Sequence, residues 1–527
     1  MAKRQTAKQK IGVNNVFTDH KASKIRTETS GWGAIKTLII ALLIAAQFVV
    51  MVYLYFTLTL MFNWYLVFSL VMTLLTCVYL LSSQKNSLSK AVWMLFLLVS
   101  FGFGYIIYLL SDERIFFHRP KKKYRKIFEN AKKYEKEQSL VSEDSGVKLE
   151  CDYLYKVGKF NAYDKTDLEY YPSGEILFEH ILAELEKAEK FIFIEFFIIS
   201  DGILLNRTFD ILKRKADSGV EIRIIYDDMG SHRTLSRDTK KKFKDANIKL
   251  CPFNRLIPFF SVALNYRDHR KIVVIDGQVA FSGGSNLSDE YVNQKELHGY
   301  WKDTGIKICG EAVDSFSLMF LRQWEYVSGK AENYSVYFNH YKETENTSVV
   351  IPYADGLDFD YRIGKSVYES VISNAKERVY IMTPYFILDD ALTHIIMNKA
   401  LSGVEVVLVL PGVPDKKYVY SVSRNNAEKL IDYGVKVYCV NDSFVHSKLV
   451  LTENAVVVGS INMDLRSFYQ QFECALLTND EKVMKEVEKD FDETLENSLL
   501  ITEENRYRKN ILNRVFSGFL QIFAPFM

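Results

Sequence analysis

The sequence lacks any cysteine pattern that would build a metal site or a disulfide framework. Its six cysteines (Cys77, Cys151, Cys251, Cys309, Cys439 and Cys474) are scattered, with no CxxC or CxxH spacing. We expect neither a bound metal nor a cofactor, and Cys439 and Cys474 read as buried strand residues. Charge of one sign is lacking too: 67 Lys plus Arg against 65 Asp plus Glu leave a net +2. That balance argues against a nucleic-acid partner, which would call for a broad basic face. A cleavable signal peptide is not expected either, because the first apolar run begins too late and continues too long. The remainder is ordinary for a globular protein, 48% apolar and 25% charged. Its length suits about three to four domains.

The apolar front end is what departs from the ordinary. Residues 37–81 are almost unbroken in apolarity, interrupted only by Gln47 and Asn63 among the strongly polar types. A bilayer span needs about 20 residues, so this run reads as two helices joined near Phe62–Trp64. A third apolar stretch covers 91–110 and contains Gly102 and Gly104. Basic residues flank the region on both sides: Lys3, Arg4, Lys8, Lys10, Lys21, Lys24 and Arg26 before it, and Arg114, Arg119, Lys121, Lys122, Lys123, Arg125 and Lys126 after it. Positive flanks favour the cytoplasm, which requires an even number of crossings. We expect two crossings, with the third stretch lying in the interface or re-entering. The bulk of the chain then faces the cytoplasm of a multi-pass cell-membrane protein, with phospholipid headgroups within reach of its basic segment.

Two copies of one short pattern occupy the rest. The first runs His269-Arg270-Lys271 to Asp276, then Gly283-Gly284-Ser285-Asn286; the second runs His446-Ser447-Lys448 to Glu453, then Gly459-Ser460-Ile461-Asn462. A neutral histidine can attack phosphorus while a protonated one donates to the leaving oxygen. Lysine suits a phosphate oxygen, and Ser and Asn add hydrogen bonds where charge spreads. The mostly β-branched runs 271–275 and 448–451 read as strands, on which His and Lys at i and i+2 share a face. Asp276-Gly277 and Glu453-Asn454 are turn signals leading into second strands at 279–282 and 455–458. A single His-x-Lys is easily an accident; two with matching hairpins point to one site built from two halves, equipped to attack a phosphodiester.

The duplication extends upstream. Residues 189–227 alternate strand, helix and strand around Ser218-Gly219-Val220-Glu221, and 376–410 do the same around Ser402-Gly403-Val404-Glu405. Alternating strand and helix signals imply an α/β layer with a mixed sheet in each half.

At these residues the chain resembles the phospholipase D superfamily, whose signature is H-x-K-x4-D followed by G-S/G-x-N. It is similar in particular to bacterial cardiolipin synthases, also at Glu195-Phe196-Phe197, Tyr226-Asp227-Asp228-Met229-Gly230-Ser231, Asn286-Leu287-Ser288-Asp289-Glu290-Tyr291, Trp301-Lys302-Asp303-Thr304, Thr383-Pro384-Tyr385-Phe386 and Leu465-Arg466-Ser467-Phe468. The likeness covers about 85–480. It departs at Glu453, where the family usually has Asp, in a hairpin one residue shorter before the glycine.

The resemblance implies two repeated phospholipase D-like α/β domains forming one pseudo-two-fold site behind a helical membrane anchor. The expected division is a basic N-terminal segment (1–33), a transmembrane region (34–112, apolar at about 37–60, 64–82 and 91–110), a basic linker (113–150), domain 1 (151–340), domain 2 (341–500) and an amphipathic tail (501–527). That tail could pack on the core or lie on the membrane. The implied catalytic set is His269, Lys271, Asp276, His446, Lys448 and Glu453. Ser285, Asn286, Ser460 and Asn462 are expected to bind phosphate. Asp303 is implied as the partner of His446, and Glu473 as that of His269, each crossing between halves; Glu453 would then mainly support its loop. The implied reaction joins two phosphatidylglycerol molecules into cardiolipin through a phosphatidyl-histidine, without nucleotide or metal. Near-symmetry of the repeat leaves open which histidine attacks. The alternatives are a hydrolytic phospholipase D or another phosphatidyltransferase, more weakly a nuclease, and an inactive membrane scaffold. The oligomeric state is not legible.

Overall fold

The computed structural model describes residues 31–83, 85–100, 103–112, 118–134, 141–256, 265–342, 344–356, 359, 361–506, 511–521 and 524. The basic residues 1–30 lie outside them, as does Arg114.

Two apolar helices come first, Gly31–Met61 and Asn63–Ser82, broken by the extended residue Phe62. Both are long and apolar enough to cross a membrane. The third apolar stretch is not one helix but two, Ser87–Val99 and Gly104–Ser111. At about 1.5 Å per residue neither reaches across a hydrocarbon core of about 30 Å. They fold back on the second long helix, burying Leu80, Leu97, Tyr105 and Tyr108 together. Gly104 permits the bend, since a Cβ there would sit 2.2 Å from Ser100 Oγ.

The duplication seen in sequence is a duplication of topology. One sheet runs in the order Thr166–Tyr171, Gly305–Gly310, Val279–Gly283, Ile272–Ile275, Phe191–Phe196, Glu221–Asp227, Lys249–Phe253. The other runs Val350–Asp355, Gln471–Thr478, Val456–Gly459, Leu449–Thr452, Arg378–Met382, Glu405–Pro411, Lys436–Val440, with Ser498–Leu500 added at its edge. In each, the motif hairpin lies antiparallel to the first of three parallel strands. The leading hairpin strands Ile272–Ile275 and Leu449–Thr452 are wholly buried and apolar but for Thr452, as expected for strands covered on both faces. Helices Gly174–Leu185 and Ile203–Asp217 cover the outer face of the first sheet. Between the sheets, helix Val313–Ser328 is buried along most of its length, with Phe320 stacked 4.5 Å from Phe193. One continuous core therefore joins both halves.

The halves also exchange backbone. Arg267–Asp268, just before the first motif, pairs in parallel with Gln471–Phe472 of the second half. Ser443–Val445, just before the second motif, pairs with Tyr300–Lys302 of the first.

Two expected boundaries differ. Residues 113–150 were expected to be a linker, but helix His118–Ala131 buries Tyr124, Ile127, Phe128 and Ala131 on one stripe. Its basic residues lie on the other side, and Lys123 Nζ donates to the Tyr326 carbonyl. The spacing of those four apolar residues was present in the sequence, masked by the density of lysine. Helix Lys148–Gly158 runs across the expected start of domain 1 and is tied to the second half, its Glu150 accepting from Ser370 and Asn374.

The motif acids close the far ends of the hairpins. Asp276 accepts from the backbone N–H groups of Glu189, Lys190 and Phe191 at 2.7, 2.7 and 2.8 Å, clasping the start of the neighbouring strand. Glu453 does the same for Lys376, Glu377 and Arg378 at 2.6, 3.4 and 3.4 Å. Its turn is shorter, with Thr452 bonded directly to Ala455, and the longer acid makes up the reach. Asp276→Ala should therefore destabilise the fold by about 2 kcal/mol and Glu453→Ala by about 1 kcal/mol or less. Denaturation midpoints of the purified variants check this ranking; the reverse order would contradict it.

Candidate active site

The backbone exchange delivers the two histidines. His269 N–H donates to the Phe472 carbonyl at 2.8 Å, and His446 N–H to the Lys302 carbonyl at 2.7 Å. The residue following each acceptor is an acid. Glu473 carboxylate oxygens lie 3.0 Å from His269 Nδ1, and Asp303 Oδ2 lies 2.7 Å from His446 Nδ1. Each ring is thus held by a carboxylate from the opposite half, which suits Nδ1–H donation and leaves Nε2 for chemistry. Register makes Asp303 and Glu473 counterparts: Gly283 pairs with Gly305, and Gly459 with Ala475.

The lysines are the unusual members. Lys271 and Lys448 are almost wholly buried. Each ammonium donates to the carbonyl of the histidine two residues earlier, at 2.5 Å for Lys271. Among the described residues neither has a carboxylate within ion-pair distance. Burial pushes Lys271 down to about 8 and Lys448 down to about 7. Burial also pulls His269 well below its ordinary value, and the charges of Lys271 and Lys448 act in the same direction. His446 falls to about 4 through burial and Lys448, with Asp303 opposing. Glu473 is raised by burial, which weakens its hold on the His269 proton. Two lysines and two histidines thus share one buried place, with Glu473 and Asp303 as the opposing charges.

Four further residues were expected on the phosphate. Ser285 Oγ and Asn462 Oδ1 are buried and have no hydrogen-bond partner among the described residues. Asn286 is more committed, accepting from Ile198 N–H and donating to Tyr291 Oη. Ser460 Oγ donates to Glu473 at 2.5 Å and accepts from Cys474 N–H, so it braces the acid. Asp276 and Glu453 are not brought to the histidines. Seven residues of hairpin separate each from its histidine, about 20 Å at strand rise.

Aromatic walls were not assigned from sequence. Phe197 meets His269 at 5.2 Å, and Tyr291, Trp301 and Phe444 surround His446 at 5.4 to 5.9 Å. Trp301 Nε1 is buried without a partner among the described residues. Phe197, Tyr291 and Trp301 stand in the family-like stretches, and Phe444 stands two residues before His446, on the same strand face.

A family model described as cardiolipin synthase, PLD-like domain, matches residues 181–324 and 368–495. A cardiolipin synthase from Alkalihalophilus pseudofirmus is 32% identical over 84% of this chain and 90% of its own length. The chain belongs to the cardiolipin synthase family of phospholipase D-like proteins. Cardiolipin synthase 2 of Bacillus anthracis is 31% identical over 86% of this chain and 90% of its own. An uncharacterized Streptococcus mutans protein is 37% identical over 85% and 99%. A phosphatidylserine synthase from Haemophilus influenzae superposes with a TM-score of 0.54 at 18% identity, covering 72% of this chain and 97% of that one, which establishes a shared fold. As a member of this family of phosphatidyltransferases, the chain is an enzyme.

Within this family site the glycine turn is a steric requirement. A Cβ on Gly284 would sit 2.1 Å from Asp303 Oδ1. Gly284→Ala should push Asp303 off His446 and lower turnover at least about tenfold, at a stability cost of about 1–3 kcal/mol. Initial rates and melting midpoints measured together test this; wild-type turnover would show that Asp303 does not orient the ring.

Proposed function

We propose that this enzyme condenses two phosphatidylglycerol molecules into cardiolipin and glycerol. The observation that carries the reading is the pair of buried ammoniums, Lys271 and Lys448, without a counter-ion among the described residues. An anionic phosphodiester seated between them supplies the missing charge. His269 Nε2 attacks the phosphorus of the first lipid. His446, carrying a proton once the anion is bound, gives it to the departing glycerol oxygen. A phosphatidyl-histidine remains. His446 then takes the proton from a glycerol hydroxyl of a second phosphatidylglycerol, whose oxygen displaces His269 and yields cardiolipin. Two covalent steps conserve one phosphodiester bond throughout. Lys271, Lys448, Ser285, Asn286 and Asn462 hold the non-bridging oxygens, while Glu473, braced by Ser460, and Asp303 orient the rings. Asp276 and Glu453 clasp the hairpins.

The division of labour follows from the surroundings of each ring. Asp303 opposes the loss of the His446 proton. Around His269 the cations reinforce burial. The second ring suits the acid and the first the nucleophile.

His269→Ala and His446→Ala should each abolish cardiolipin formation in phosphatidylglycerol vesicles, read by lipid chromatography. Phosphatidic acid as the main wild-type product would instead identify a hydrolase.

Lysine carries charge below its pKa and loses it above. With Lys448 near 7 and Lys271 near 8, kcat/KM should decline as pH rises from about 7 to 9. A profile still climbing at pH 9 would remove the lysines from phosphate binding.

The two long helices and the basic flanks support a catalytic region on the cytoplasmic side of the cell membrane. A single cysteine at the exposed Ser142, with the native six replaced, should resist an impermeant thiol reagent until cells are lysed. Labelling of intact cells would put the site outside.

A further inference from the structure

The C-terminal helix Ile511–Gln521 presents an apolar face outward. Ile511, Leu512, Val515, Phe516 and Phe519 are 72, 76, 66, 53 and 57% exposed. Their spacing of i, i+1, i+4, i+5 and i+8 gathers them on one stripe. Scattered exposed apolar side chains are ordinary on a protein surface, but a continuous stripe of five is not. The helix is nonetheless anchored. Leu520 and the following Ala524 pack with Ile387, Val419, Val422 and Leu465. Upstream, Arg506 is ion-paired with Asp432 and Glu503.

What lies against the stripe is indicated by a neighbour in the same cluster. Leu88 packs there too. It is six residues beyond Ser82, the end of the second candidate span. The cluster that anchors the C-terminal helix is therefore shared with the chain just beyond the second candidate span, which puts the exposed stripe on the same side of the protein as that span's end.

We propose that helix Ile511–Gln521 lies in the bilayer interface, its apolar stripe among the acyl chains, as a second membrane contact separate from the spanning helices. An amphipathic helix with basic residues at and before it, here Arg506 and Arg514, suits an anionic lipid surface. The contact bears on the site because the cluster behind the helix includes Tyr385. Tyr385 also packs against Tyr291, Trp301 and Phe444, the residues around His446. A helix lying in the interface thus sets the height of the cleft wall above the lipid surface.

The test is independent of the transfer reaction. Full-length protein with a single cysteine, Phe516→Cys or Val515→Cys, is labelled with bimane in a background lacking the native six. It is reconstituted in vesicles of phosphatidylglycerol and phosphatidylcholine carrying doxyl-labelled acyl chains. Lys485→Cys, at a residue whose side chain is 75% exposed on another helix, is the aqueous control. Doxyl lipid should quench both stripe positions at least about threefold more than the control, and aqueous iodide should do the reverse. Iodide quenching equal to the control would place the stripe in water. Protection from both quenchers would mean protein covers it, such as a second copy of the chain. Either result overturns the proposal.

Discussion

Everything in the site depends on the two halves exchanging short strands. Arg267–Asp268 pairs with Gln471–Phe472 just before His269, and Ser443–Val445 pairs with Tyr300–Lys302 just before His446. Each exchange sets a histidine backbone beside the other half and brings up the acid that aims its ring. A lone half would hold a His and a Lys but no partner for its own imidazole. The shared core around helix Val313–Ser328 keeps the two exchanges in register, so the halves form one rigid unit rather than two domains that dock. The extra helix His118–Ala131 reinforces this from behind: Tyr124 packs 4.9 Å from Phe472, whose carbonyl receives His269.

The cost of this arrangement is electrostatic. Bringing both hairpins to one place buries two ammoniums and two imidazoles together. Desolvation disfavours every charged form, and the cations disfavour one another. The lysine and histidine pKa values are lowered as a result. A bound monoanion reverses those shifts, because its charge favours protonation of everything around it. On the proposed mechanism, a bound phosphodiester would in this way ready His446 as the acid.

Much of this was legible in the sequence, and the limits are physical. The hairpins announce themselves because a buried strand must be apolar and its active ends must be His and Lys at spacing two. The repeat is visible because the same Ser-Gly-Val-Glu sequence opens the same parallel strand in each half. Residues at a fixed place in the motif, such as Asp276, could be located; what they do could not, because the clasped strand begins 85 residues earlier. Aromatic walls were illegible for the same reason: Trp301 and Phe444 meet at 4.7 Å only after the strand exchange. The helix His118–Ala131 was hidden by charge. Its apolar stripe is narrow, and seven of its residues are basic or histidine.

The pseudo-symmetry is broken where the chemistry needs it broken. At the position after the strand glycine, the first half has Gly284 and the second has Ser460. Glycine leaves Asp303 room to stand close to His446. Serine instead donates a hydrogen bond to Glu473, a longer acid that is equally buried. Four residues after the motif asparagine the halves differ again, with Glu290 in one and Arg466 in the other. Glu290 is occupied by Ser288, whereas the charge of Arg466 helps to keep the His269 proton off. A fully symmetric pair of histidines would exist in two equivalent protonation states and commit to neither role. Unequal acids and unequal flanking charges give the rings different proton affinities. One duplicated motif can then supply both a nucleophile and an acid.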